Sequence, residues 1–308
     1  MTALPVNTAA FRTRWAPIVP YVALFAAMIS LCFGTSFAKQ LFPLVGAQGT
    51  AALRVGLAAI ILTALFRPWR IRLGPGDLGR LVAFGAAMGL LNLTFYLSLK
   101  TIPLGLALAI EFTGPLALAL IHARRPVHFA CIGLAALGLV LLLPINGASS
   151  LDPVGVGFAL IAAVCWALYI VFGKRLGHIP AGPSVALGMT VAALVILPFG
   201  AAEAGLKLIH PSILVVAVVV AIASSAVPYS LDMIAMRGMP KRTFGVLLSA
   251  EPAIGAVAGV FFLHELLSGQ QWLAIGAIVA ASAGAILTTR PETPAAEAAA
   301  PEPIQPPA

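Results

Sequence analysis

Charge is what this sequence has least of. Only 9% of its 308 residues are Asp, Glu, Lys or Arg, while 61% are hydrophobic. A soluble domain carries about a quarter charged residues. A globule of this size has no way to hide so much apolar surface from water, so lipid must be the solvent for most of the chain. Cysteine is nearly as scarce. Cys32, Cys131 and Cys165 stand far apart, each inside an apolar run. No CxxC or Cys/His spacing occurs, which excludes a disulfide framework and gives no metal site; the three read as small apolar packing residues. No glycine-rich phosphate loop is present, so neither a nucleotide-driven pump nor any other cofactor is expected. His122, His128, His178, His210 and His264 all fall near helix ends or in linkers, where they read as interfacial rather than catalytic. The net charge of +8 is scattered in short clusters between apolar runs. That is the habit of juxtamembrane charge, not of a nucleic-acid surface.

What is there is a series of long apolar runs. A spanning helix needs about 20 mostly apolar residues. Ten stretches qualify: 17–38, 46–66, 78–99, 103–122, 127–144, 153–174, 181–203, 211–235, 243–263 and 269–289. The linkers are short and carry turn signals, among them Phe42-Pro43, Gly74-Pro75-Gly76, Asn146-Gly147, Pro180-Ala181-Gly182-Pro183 and Met239-Pro240. They force antiparallel neighbours and leave no room for a soluble domain. The first run is long and lacks a cleavage site, so it reads as a membrane helix and not a removed signal peptide. Residues 291–308 are rich in Pro, Ala and Glu and are expected to form a disordered tail.

Charge sets the orientation. Fourteen of the 18 Lys and Arg fall on the side that the two termini share, Arg54 lies inside a run, and only Lys39, Lys100 and Lys207 fall on the other side. The positive-inside rule then makes both termini cytoplasmic.

The runs also repeat. Ala23-Leu24-Phe25-Ala26-Ala27 matches Ala159-Leu160-Ile161-Ala162-Ala163 at an offset of 136, and Pro103 and Pro115 match Pro240 and Pro252 at 137. Each half, 17–146 and 151–290, holds five runs between the tails 1–16 and 291–308. An odd number of spans turns the second half over, so the expected architecture is an all-α membrane protein of ten transmembrane helices in two inverted five-helix repeats. Inverted repeats place a site near the midplane between the halves.

Four ionisable residues lie within these runs away from their immediate ends, or close to it: Arg54, Glu111, Asp232 and Glu251. A charge at the centre of a spanning helix costs about 2.5–3.5 kcal/mol on insertion scales, which makes such residues functional candidates. Glu111 lies roughly 13 Å into its run at 1.5 Å per residue, and Glu251 is similarly deep. Asp232 is nearer the cytoplasmic end, where an ion pair with Arg237 competes with a role in transport. Prolines add a second feature, because proline removes the backbone bond to the carbonyl four residues earlier. Pro115 frees the carbonyl of Glu111, Pro228 that of Ser224 and Pro252 that of Leu248. Free carbonyls at membrane depth are tolerated where they line a cavity or meet a polar group; a simple packing kink is the other reading. Arg54 has the fork that matches a carboxylate, of a substrate or of Glu111 or Glu251. Asn92, Tyr96 and Tyr229 are polar groups at useful depths. In the repeat frame Glu111 meets Leu248 and Gly114 meets Glu251, so the two carboxylates are not symmetry mates and unequal roles are expected. Gly85-x-x-x-Gly89, Gly255-x-x-x-Gly259 and Gly276-x-x-x-Ala280-x-x-x-Gly284 read as packing seams.

Several passages resemble a known family. They are EFTGP from Glu111, PYSLDMIAM from Pro228 and RTFGVLLSAEPAIGAVAG from Arg242. The chain from about 17 to 290 is similar to the drug/metabolite transporter superfamily with EamA-like domains, and within it to bacterial threonine and homoserine exporters. Asp232 stands where those exporters carry Glu. The resemblance implies a secondary exporter of small amino acids, L-threonine and L-homoserine, in the inner membrane, driven by the proton motive force. Its partners would be the amino acid, protons and the bilayer, with no nucleic acid and an oligomeric state left open. One of Glu111 and Glu251 would exchange a proton for the substrate ammonium. Two rivals stand beside this reading. One is an exporter of other drugs or metabolites, for which a wide aromatic cavity would speak. The other is an intramembrane enzyme, which would need a nucleophile–base pair or metal ligands at depth; the Cys and His positions offer neither, so no catalytic residue is assigned.

Overall fold

The computed structural model describes residues 18–121, 126–141, 152–239 and 241–288. Both tails, the linkers with Arg124, Arg125 and Asn146-Gly147, Pro240 and Arg290 lie outside the described residues, as do the expectations that fall on them. Among the described residues every regular element is helical. In chain order they are α1 (Val19–Lys39), α2 (Phe42–Phe66), α3 (Asp77–Ser98), α4 (Leu104–Glu111), α5 (Thr113–Leu120), α6 (Pro126–Leu141), α7 (Pro153–Arg175), α8 (Ala181–Ala204), α9 (Pro211–Ala221), α10 (Val227–Gly238), α11 (Lys241–Leu248), α12 (Glu251–Leu263) and α13 (Gly269–Thr288). Helices satisfy their backbone groups internally, which is what the lipid interior demands.

The starts follow local chemistry. Proline occupies the first turn of α1, α2, α7, α9, α10 and α12, where its missing N–H costs nothing. Asp152 caps α7, accepting from the backbone N–H of Val154 at 3.2 Å and Gly155 at 3.3 Å. The Thr101 hydroxyl and these two N–H groups hold its carboxyl below the usual range. The cap is therefore in force at neutral pH and is lost only as pH falls through that lowered value.

Helices occupy all ten expected stretches, and among the described residues eight spans reach crossing length. The fourth and fifth stretches are shorter. Residues 103–122 are interrupted at Phe112, between α4 and α5, because Pro115 cannot donate to the carbonyl of Glu111. The helix in 127–144 is described only to Leu141. Two other spans carry irregularities near a proline. A π-turn at Ile222–Ala226 precedes Pro228, and Ser249-Ala250 separate α11 from α12 just before Pro252.

Small residues let the helices approach. Gly85 and Gly89 of α3 lie against Gly188, Val191 and Ala192 of α8, and Gly255 and Gly259 of α12 face α4 and Glu265. The third expected seam is only partly used. Gly284 meets Cys131, but Gly276 faces open space. Gly85→Val should therefore push α3 off α8 at a cost of about 1–3 kcal/mol, as overpacking does, and lower the melting temperature in detergent. Gly276→Val should leave it unchanged.

Candidate functional site

The three irregular stretches converge on one cavity of about 390 Å³. It is set between α1, α2, α3, α4, α7, α8, the π-turn, α10, α11 and α12. Its wall carries four ionisable groups, Arg54, Glu111, Asp232 and Glu251. The four ionisable residues that the sequence places away from the runs' ends thus meet in one place. Asn92, Pro228 and Tyr229 line it as well. Tyr96 does not; it is fully buried behind Arg54, with the guanidinium carbon 5.4 Å from its ring centroid. Pro115 and Pro252 shape the helices and are not part of the wall.

Arg54 is held by the irregular backbone. Its Nη2 donates to the carbonyl of Ser224 at 2.7 Å, the carbonyl that Pro228 leaves free. Its Nε donates to the Ser224 hydroxyl at 2.8 Å, and its Nη1 to Asn92 Oδ1 at 2.7 Å. Asn92 is fixed in turn by donating to the Met88 carbonyl at 2.9 Å, and the Ser224 hydroxyl by donating to Val220 at 2.6 Å. The guanidinium ties α2, α3 and the π-turn together. A salt bridge from Arg54 to Glu111 or Glu251 was one expectation; no carboxylate of the described residues pairs with it. The reason is geometric, since one oxygen of Asn92 and two of Ser224 take up an N–H on each guanidinium nitrogen. A guanidinium has five N–H groups, so two remain.

The carboxylates are left differently. Glu111 and Glu251 are only 6% and 4% exposed, and neither has a hydrogen bond or ion pair with a described residue. Glu111 ends α4 and Glu251 begins α12. Helix N-termini carry partial positive charge and C-termini partial negative charge, so the two carboxylates meet opposite helix ends. Asp232 stands one turn beyond Tyr229 on α10, and its buried Oδ1 has no hydrogen-bond partner among the described residues. The expected Asp232–Arg237 pair involves a side chain outside the described residues.

The remaining wall is apolar and aromatic. Trp166, packed edge-on against Phe112 at 4.8 Å, joins Tyr169, Phe95 and Phe244. Trp166 was open to detection as the one tryptophan away from a run's ends. Cys32 and Thr35, also lining, carry no signal in the sequence. Ser224 was marked as the residue four before Pro228.

The chain is similar to known proteins. The model of the EamA-like transporter family matches residues 153–287. The threonine/homoserine exporter RhtA of Escherichia coli K12 is 50% identical over 276 residues, covering 89% of this chain and 94% of its own. RhtA of Salmonella typhimurium LT2 is 49% identical over 282 residues, with 91% and 96% covered. A crystal structure 22% identical in sequence matches the fold with a TM-score of 0.56, over 89% of this chain and 97% of the other.

Proposed function

This chain belongs to the EamA-like transporter family, and we propose that it exports L-threonine and L-homoserine across the bacterial inner membrane by proton-coupled alternating access. The observation that carries the substrate class is the cavity wall. It sets one guanidinium with two uncommitted N–H groups against three carboxylates that have no hydrogen-bond or ion-pair partner among the described residues. That is the complement of a small zwitterion. The substrate carboxylate takes the free N–H groups of Arg54, and its ammonium lies among Glu111, Glu251 and Asp232. A proton replaces the ammonium when the carrier returns empty. The volume is at the small end of the roughly 300–1,000 Å³ usual for ligand sites, which suits an amino acid, and the named function of the two relatives points to threonine and homoserine.

The ten-span inverted repeat has structural support. The breaks at Phe112 and Ser249 stand 137 residues apart, as do Pro115 and Pro252. Two glycine contacts follow the two repeat offsets: Gly46 lies against Glu203 and Gly182 against Phe66, with Gly46 and Gly182 136 residues apart and Phe66 and Glu203 137 apart. In this reading α4–α5 and α11–α12 are the fourth and ninth spans, both termini are cytoplasmic, and Lys39 and Lys100 lie outside.

The test is resistance and efflux in an exporter-deficient strain. Expression should confer resistance to homoserine and threonine and speed their efflux. Resistance confined to unrelated drugs would replace this reading with that of a drug or metabolite exporter, for which the five aromatic residues on the wall already give a physical basis.

A further inference from the structure

The four half-helices meet very differently at the two ends of the bundle. At one end α4 and α12 pack backbone to backbone. Gly105 sits so close to Ala256 that a Cβ there would lie 2.7 Å from the Ala256 nitrogen, and Gly255 faces Leu108. Beyond this seam the chain leaves α12 through His264, at a φ of 52°, and turns Glu265 back over it. Glu265 Oε1 accepts from Lys39 Nζ at 2.7 Å, and Oε2 accepts from the backbone N–H of Leu104 at 2.9 Å. The carboxylate also lies against Gly259. One side chain thus joins the last residue of α1, the first of α4 and the exit of α12. It is only 10% exposed, so its bonds are poorly screened. At the other end α5 and α11 make at most slight contact. There Gly245 faces Ile286 of α13, which a Cβ would meet at 3.2 Å.

The repeat frame relates these two ends. Leu108 and Gly245 stand 137 residues apart, and so do Leu118 and Gly255. The contact made between Gly255 and Leu108 therefore has an unmade twin between Gly245 and Leu118. Resting on the inverted-repeat reading above, we propose that the Lys39–Glu265–Leu104 cluster locks the external gate, and that its release lets Leu118 seat on Gly245 to close the cytoplasmic side. The lock has no acidic twin. The position 137 residues before Glu265 is His128, and Lys39 corresponds to Arg175 at the 136 offset. A cation–carboxylate tie thus joins α1, α4 and α12 at the outer end, while the pairs of Asp77 with His178 at 3.1 Å and Arg80 at 3.4 Å at the inner end join α3 to the linker after α7 instead. The resting carrier waits open to the cytoplasm, where an exporter must collect its substrate.

The test uses paired cysteines in the full-length protein in inside-out membrane vesicles. Leu118→Cys with Gly245→Cys should cross-link with a short bis-maleimide at low yield in the resting carrier. Adding Glu265→Gln should raise that yield severalfold by releasing the lock, and Glu265→Asp should raise it less. Lys39→Cys with Glu265→Cys should be joined by a short reducible bis-thiosulfonate cross-linker that stops efflux, with recovery on reduction. An unchanged Leu118–Gly245 yield in the Glu265→Gln protein would overturn the lock. So would absence of any Leu118–Gly245 cross-link in vesicles whose carrier is actively exporting. Cross-linking needs no knowledge of the substrate. A carrier that shows the lock but moves neither threonine nor homoserine would keep this inference and discard those substrates.

Discussion

Glu251→Gln is expected to abolish both net threonine export and threonine–threonine exchange, while Glu111→Gln loses only the dependence of export on a proton gradient. The difference follows from where the breaks fall. Glu251 opens α12, where the positive end of the helix dipole favours an anion by about 0.3–1 kcal/mol or more when partly buried. It is suited to stand as the fixed negative partner of the ammonium. A charge-assisted hydrogen bond is worth about 1.5–3 kcal/mol, so losing it lowers substrate affinity by about tenfold to a hundredfold at 1.4 kcal/mol per decade. Exchange and net export both need that affinity. Glu111 closes α4, beside the negative end of a helix and next to the break that Pro115 creates. It is suited to carry the proton on the empty return. Counterflow of labelled threonine in proteoliposomes, measured with and without a pH gradient, separates the two. Loss of counterflow in Glu111→Gln with retention in Glu251→Gln would reverse the assignment. Gradient-dependent export at the native rate in both would remove the carboxylates from the mechanism.

The membrane class, the helical stretches and the ionisable residues of the cavity were legible because lipid makes them so. A carboxylate inside an apolar run is too costly to occur without reason, so Glu111 and Glu251 stood out from composition alone. Proline spacing was equally informative. Pro228 marks Ser224 as owner of a free carbonyl, and Arg54 supplies its donor. What stayed hidden was pairing. Arg54 seemed a partner for a carboxylate, but its choice of Asn92 and Ser224 depends on how α3 and the π-turn approach α2, which no run of residues encodes locally. Glu203 and Glu265 carry no signal in the sequence, because charge near a helix end needs no explanation in water. Only the fold shows Glu203 accepting from the backbone N–H groups of Gln48 at 2.6 Å and Gly49 at 3.3 Å. It lies against Gly46, whose φ of 72° suits the absence of a side chain.

Arg54→Ala is expected to destabilise the protein and to eliminate export, and a second substitution should separate these effects. The guanidinium supplies the donor that Pro228 denies to the Ser224 carbonyl, and it also satisfies Asn92 Oδ1 and the Ser224 hydroxyl. Hydrogen bonds to a charged group contribute about 1.5–3 kcal/mol each. Loss of three such bonds at buried positions therefore removes a large part of a typical net stability of about 5–15 kcal/mol. Arg54→Ala should thus accumulate poorly and melt early in detergent. Arg54→Lys keeps the charge but has a point-like ammonium in place of a planar fork, and should be intermediate in stability with weakened substrate binding. Pro228→Ala returns a backbone N–H four residues beyond Ser224, the position from which a helix satisfies that carbonyl. In the Arg54→Ala/Pro228→Ala protein the carbonyl has a donor again, so part of the stability should return. Export should not, because the two N–H groups that face the substrate carboxylate are still missing. Recovery of export together with stability would make Arg54 a structural clamp alone, and the carboxylate of the substrate would then need another receptor on the cavity wall.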